Sequence, residues 1–178
     1  MVTILKPIPC DEFNVLYDML SNISIPIKTK YAGGRGDFGR HRATTFGITR
    51  GRFDGIIGLS NNSRKYPHIY EEIKRIGHLM GADDMNSIHL NHNVVCPKHF
   101  DSNNVGDSIL VSFGDYTGCN IVVQEMKYDA FCHPIKFNGA ELMHYNTDDL
   151  IGNKYSLVFY TAIYNASNRQ GLPKQKDH

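Results

Sequence analysis

Residues 87–101 read Ser-Ile-His-Leu-Asn-His-Asn-Val-Val-Cys-Pro-Lys-His-Phe-Asp, and here the texture of the chain changes. The β-formers over 87–95 predict a strand, and His99-Phe100-Asp101 follows it. On an extended backbone residues i and i+2 point to the same side, so an imidazole nitrogen and a carboxylate oxygen converge on one ion. A helix would splay the two by about 200°, given its 3.6-residue turn. A third ligand has to come from elsewhere. His144 lies 45 residues later, in a candidate strand at 141–145. Two histidines and one carboxylate on one face of a metal leave three positions open, which suits non-haem iron(II) that binds both a cosubstrate and oxygen.

Working outward, further short strands are expected at 108–113, 120–125, 131–137 and 155–164, with another possible at 2–5. Turn signals separate them at Asn103-Asn104, residues 114–118, Asn138-Gly139 and Gly152-Asn153. Of these, Asn-Gly is the strongest tight-hairpin signal. Upstream the period is helical. Phe13, Leu16 and Leu20 mark a helix over 11–21 with Asp11 as its N-cap, and Ile69, Ile73, Ile76 and Met80 mark one over 67–80. Pro67 fits its first position and Gly81 its C-terminal cap. Residues 29–62 carry weak periodicity and read as a long, partly irregular region. Helices first and short strands afterwards predict an α+β chain whose β part is a sandwich or barrel. We read residues 1–178 as one domain: a helical and basic-loop region over 1–84, a β core over 85–165 and a flexible tail over 166–178.

Composition agrees with a globular protein: 41% hydrophobic and 21% charged residues. No apolar run approaches the roughly 20 residues that span a membrane, and the first residues lack a signal-peptide layout. The expectation is an intracellular protein, cytoplasmic or nuclear. Cys10, Cys96, Cys119 and Cys132 form no CxxC pair, so reduced, partly buried thiols are expected. Between residues 28 and 65 nine basic side chains face two acidic ones, a local charge of +7 in a chain of net charge +1. Such a stretch suggests an anionic partner; a solvated loop is the plainer alternative.

Ten residues after His144 stands Lys154, heading Lys-Tyr-Ser-Leu-Val-Phe-Tyr. A cation there can pair with a carboxylate at the inner end of a pocket, and Ser156, two residues on, adds a hydroxyl on the same face. Asn91 and Asn93 precede the HxD turn and are candidates to bind the cosubstrate or orient a ligand. His89 and His92 lie on opposite faces of their strand, and His133 precedes Pro134; all three read as ordinary structural histidines.

The order HxD, a distal His, ten residues, Lys, then x-Ser resembles the 2-oxoglutarate/iron(II) oxygenase superfamily over roughly residues 85–165. Leu90-Asn91-His92-Asn93, the runs 104–108 and 113–118, and Phe137-Asn138-Gly139 are similar to its branch of TET and J-binding-protein oxygenases, with viral, phage and fungal members. Lys154 stands where arginine is more usual in that branch. The resemblance implies a double-stranded β-helix (jelly-roll, cupin-like) with supporting N-terminal helices. It also implies iron(II) on His99, Asp101 and His144, 2-oxoglutarate on Lys154 and Ser156, O2 as co-reactant, and hydroxylation of a C–H bond. For the narrower branch, that bond is the methyl group of a 5-methylpyrimidine such as 5-methylcytosine in DNA.

A nucleic-acid substrate would draw on Arg35, Arg40, Arg42, Arg50 and Arg52 for phosphate and on Tyr31, Phe38, Phe46 and Phe53 for base faces. Residues 31–53 would then act as a substrate-gripping lid. The alternatives are an amino-acid, peptide or small-metabolite hydroxylase with the same iron chemistry, and a non-catalytic β-barrel binding protein in which the triad is coincidental.

Overall fold

Two β-sheets face each other in the computed structural model, which describes residues 1–28, 41–51 and 54–163. The strands are β1 (Thr3–Ile4), β2 (Ile27–Lys28), β3 (His41–Arg50), β4 (Ile57–Leu59), β5 (Ser87–His92), β6 (Ser108–Thr117), β7 (Ile121–Val123), β8 (Met126–Tyr128), β9 (Ile135–Phe137), β10 (His144–Asn146) and β11 (Ile151–Tyr160). The helices are α1 (Asn14–Ser21), α2 (Asn61–Lys65) and α3 (Pro67–Leu79). The larger sheet runs β1-β9-β6-β11-β5-β3-β2, with β4 beside β3; the smaller runs β10-β7-β8 and is extended by a bridge from His99 to His144. From β5 onward the chain alternates between the sheets: β5, the His99 segment, β6, the β7–β8 hairpin, β9, β10, β11. With β5-β11-β6-β9 in one layer and the His99 segment-β10-β7-β8 in the other, this is the expected double-stranded β-helix.

The pleat decides which side chains see which neighbours. On β11 the odd positions Tyr155, Leu157 and Phe159 are buried, and they pack with Ile88, Leu90, Ile109, Val111 and Phe113 against Phe13, Leu16, Leu20, Ile69, Ile73 and Ile76 of the helical layer. The even positions Lys154, Ser156 and Val158 face the other sheet and line the cavity described below. Ile121, Val123, Ile135, Phe137 and Leu142 fill part of the space between the sheets. No helix among the described residues is long and apolar enough to cross a membrane.

α3 follows its sequence closely. Pro67 opens it, and Gly81 at φ +70° closes it with Ala82 N–H to Gly77 O at 2.9 Å and Gly81 N–H to His78 O at 3.0 Å, a Schellman turn. Gly77 is in the buried stripe because a β-carbon there would stand 2.7 Å from the Phe159 ring. Gly77→Val should therefore lower the unfolding free energy by about 1–3 kcal/mol through overpacking, although valine is the better helix former. A urea titration checks this; an unchanged midpoint would mean that the Phe159 ring yields.

Several sequence expectations are corrected. Residues 41–50, expected to be irregular and part of a lid, form β3, paired along β5 from Arg42↔His92 to Gly47↔Ser87. Asp11 caps no helix: α1 is entered through a 3-10 turn at Cys10–Phe13, and Phe13 precedes it without a side-chain cap. Gly114 and Gly152 were read as turns, yet Tyr116↔Gly152 and Gly114↔Lys154 are ladder pairs, while Gly118 does fall in the β6–β7 connection. Gly114 at φ +122° and Gly152 at φ +103° instead let the two backbones approach, with Asn153 O and Asp115 O where β-carbons would be. Asn138-Gly139 makes no hairpin, since β9 pairs with β1 and β6 while β10 pairs with β7. The tight hairpin is at Gln124-Glu125, φ +48° and +67°, between Val123 and Met126; those residue types carry no turn signal. Cys10 and Cys132 are joined in a disulfide, contrary to the expectation of four reduced thiols, while Cys96 and Cys119 are free. The backbone aligns the bridged pair: Ile8 N–H donates to Cys132 O at 2.9 Å.

Candidate metal centre

His99 and His144 are brought together by the backbone. They form one hydrogen-bonded antiparallel pair, His99 N–H to His144 O at 3.0 Å and His144 N–H to His99 O at 3.1 Å. Residues so paired project to the same face, and the two rings lie 4.2 Å apart between centroids. Each imidazole is oriented by the carbonyl two residues before it: His99 Nδ1 lies 2.7 Å from Pro97 O and His144 Nδ1 2.9 Å from Leu142 O. A carbonyl only accepts, so each Nδ1 donates to it, and Nε2 is the ring atom left to face a metal. This is the usual outer support of a metal-binding histidine.

Both Nε2 atoms point at one carboxylate. Asp101 Oδ1 is 3.7 Å from His99 Nε2, and Asp101 Oδ2 is 3.4 Å from His144 Nε2. The three donors lie within 4.8 Å of one another. Neighbouring ligands about 2.1 Å from an octahedral ion stand about 3 Å apart, so the donors need little adjustment to hold one. The set is mostly shielded, with side-chain exposures of 12% for His99, 21% for Asp101 and 5% for His144. Asp101 is held by its own backbone, which donates to Gly139 O at 2.8 Å and accepts from Asn104 N–H at 2.9 Å.

The triad opens into a cavity of about 460 Å³ between the sheets, with Asn91, Lys154 and Ser156 in its wall. Asn91 and Ser156 are ladder partners, joined by Asn91 Nδ2 to Ser156 Oγ at 3.3 Å. Lys154 is buried, and its Nζ donates to Cys119 O at 2.8 Å and approaches Cys119 Sγ at 3.1 Å. Its ammonium also sits 5.4 Å from the centre of the Tyr116 ring. Burial pushes the Tyr116 phenol up to about 12, so the ring meets this cation as a neutral group. No carboxylate pairs with Lys154 Nζ among the described residues.

Other expected site residues fall elsewhere. Asn93 is outside the cavity wall, and its Oδ1 instead accepts Lys154 N–H at 2.7 Å. Arg42 pairs in register with His92 on the face turned from the cavity, and its guanidinium donates to Ile25 O at 2.8 Å. Arg50 does line the cavity. Arg35, Arg40 and Arg52, with the aromatics Tyr31, Phe38 and Phe53 and the tail beyond residue 163, lie outside the described residues. His89 faces the cavity and His92 stacks on Tyr155, on opposite faces as expected. Cys119 and Tyr116, which surround the lysine, were not foreseen. Cys119 sits at φ +53° just beyond β6, where no periodicity marks it as inward.

No family model matches the chain, and no curated protein sequence matches it. Solved structures do. NgTET1 in complex with 5mC DNA superposes with a TM-score of 0.61 at 13% identity over 91% of this chain and 72% of that one. A 2OG-Fe(II) oxygenase family oxidoreductase from Burkholderia pseudomallei gives 0.61 at 16% identity over 90% and 84%. A Pseudomonas putida prolyl-4-hydroxylase gives 0.50 at 10% identity over 90% and 92%. At these identities the likeness is one of fold.

Proposed function

We propose that the protein is an iron(II)- and 2-oxoglutarate-dependent oxygenase that hydroxylates a C–H bond, with the methyl group of a 5-methylpyrimidine in DNA as its substrate. The observation that carries the reading is one cavity holding both a convergent His-Asp-His set and a buried ammonium with no carboxylate partner among the described residues. The donor chemistry fits iron(II): two imidazoles and a carboxylate on one side leave the cavity side open. Bound there, iron(II) and 2-oxoglutarate supply the redox chemistry that couples oxygen reduction to hydroxylation. His99 and His144 present their Nε2 atoms from fixed ring orientations, and Asp101 adds the carboxylate donor. Lys154 offers the charge that a distal carboxylate needs, with the Ser156 hydroxyl on the same strand face. The apolar wall from Leu110, Ile121, Phe137 and Val158 limits water in the reaction space.

The DNA assignment rests on three supports: the likeness to a fold solved with 5mC DNA, the local charge of +7, and Arg50 in the cavity wall. A base would have to leave its stack to reach a metal between two sheets. The position of Arg42, turned from the cavity, favours the second reading, a hydroxylase of an amino acid, peptide or small metabolite. The test is anaerobic loading with iron(II) and 2-oxoglutarate, then oxygen together with 5-methylcytosine DNA, proline peptides or free amino acids. Succinate and a product 16 mass units heavier on the DNA support the proposal. The same gain on a peptide or amino acid moves the substrate to the second reading. A protein that takes up no stoichiometric iron, manganese or nickel is a binding barrel. For the DNA reading, Arg50→Ala should weaken binding and reduce the slope of log affinity against log salt by about 1; an unchanged slope would remove Arg50 from the interface.

A further inference from the structure

Gly139 lies between β9 and β10, five residues before His144. It does not adopt a positive φ, so backbone freedom does not explain a glycine here. Space does. A β-carbon at residue 139 would stand 2.9 Å from Asp101 Oδ2, 3.2 Å from His144 Cε1 and 3.4 Å from Asp101 Cβ. All three neighbours belong to two of the three candidate ligands. The Gly139 carbonyl also accepts the Asp101 N–H at 2.8 Å. The residue thus holds the Asp101 backbone from one side and leaves its carboxylate room from the other.

The turn that places Gly139 is built from the same few residues. Asn138 O accepts Glu141 N–H at 3.2 Å and Leu142 N–H at 2.9 Å, and Asn138 Oδ1 accepts Ala140 N–H at 3.1 Å. Leu142 O is the acceptor that orients His144. Residues 138–144 therefore form one rigid piece that sets the imidazole of His144 directly and the carboxylate of Asp101 through Gly139.

We propose that Gly139 is a positioning residue of the metal centre, whose missing side chain reserves the volume in which the Asp101 carboxylate reaches the third ligand position. This rests on the metal-binding reading above. The first atom met by a β-carbon is the far end of a side chain, so Ala at 139 is relieved by rotating Asp101 away rather than by moving backbone. The fold survives such a change and the donor geometry does not. Outer partners of ligands typically change metal affinity 10- to 100-fold, and the same range is expected for Gly139→Ala.

The experiment titrates metal-free protein with manganese(II) and cobalt(II) by calorimetry and follows the cobalt absorption spectrum, beside a thermal melt of the metal-free protein. Wild type should bind one equivalent. Gly139→Ala should melt within a few degrees of wild type, bind at least 10-fold more weakly and show an altered cobalt spectrum. Asp101→Ala and the double variant Asp101→Ala/Gly139→Ala should bind equally weakly, because Gly139 acts through Asp101. If wild type binds no metal, the metal reading itself falls. If wild type binds and Gly139→Ala binds as tightly with the same spectrum, the positioning role is overturned. A Gly139→Ala protein that unfolds, or a second full loss in the Asp101→Ala background, also overturns it, since either shows that the contact supports the backbone rather than the carboxylate.

Discussion

Asp101→Ala should abolish 2-oxoglutarate turnover and weaken iron(II) binding by well over 100-fold, the upper end of what even outer-shell changes cost, while leaving the fold in place. The fold survives because main-chain bonds hold the backbone of residue 101 in place: its N–H to Gly139 O, and its O to Asn104 N–H. The His99–His144 pairing is likewise anchored by two main-chain hydrogen bonds. The substitution removes the carboxylate of the donor set and leaves two imidazoles. Asp101→Asn separates charge from shape: it keeps the volume beside Gly139 but not the anion, and should lose nearly as much affinity. The readings are succinate formation, metal binding of the metal-free protein and circular dichroism. Near-normal succinate from the alanine variant would place the metal elsewhere.

The convergence of His99 and Asp101 was legible because it depends on a rule that survives without tertiary information: on an extended backbone residues i and i+2 share a face, whereas His144 had to come from a distant segment. The same rule placed Lys154 and Ser156 together, and helical spacing identified Ile69, Ile73, Ile76 and Met80 as a buried stripe. What failed was the meaning of glycine. Gly114, Gly139 and Gly152 all look like turn residues in one dimension. In the fold, Gly114 and Gly152 relieve backbone contact between paired strands, and Gly139, which does lie in a turn, also leaves room for a carboxylate. Those reasons involve partners 37 to 39 residues away, which local pattern does not contain. β3 was missed for a related cause. Its threonines, arginines and Gly47 read as polar loop, because the strand lines the cavity through Thr45, Thr49 and Arg50 and its strand character appears only once it pairs with β5. The disulfide joins residues 122 apart in sequence, and four cysteines allow too many pairings for sequence to choose.

Lys154→Ala should raise the 2-oxoglutarate requirement about 100-fold while leaving iron(II) affinity nearly unchanged. Losing one member of a buried charge pair costs about 3 kcal/mol or more, and each 1.4 kcal/mol is a decade in affinity. Lys154→Arg should be milder but not neutral, because a planar guanidinium cannot occupy the space an ammonium fills 2.8 Å from Cys119 O. The more telling variant is Lys154→Met, which keeps the apolar stem and deletes the charge. In the free protein the ammonium is buried against one carbonyl, a thiol and an aromatic face, with no carboxylate partner among the described residues, and a buried charge without a counter-charge is a liability to folding. Lys154→Met should therefore melt at or above the wild-type temperature when 2-oxoglutarate is absent. Added 2-oxoglutarate should then raise the melting temperature of wild type, by mass action on the folded state, and leave that of Lys154→Met unmoved. A site selected for stability alone would show the opposite order, with the methionine variant less stable in the free protein. Equal stabilisation of both proteins by 2-oxoglutarate would remove Lys154 as its anchor without touching the metal assignment, because the lysine and the triad sit on different sheets and are read by different titrations.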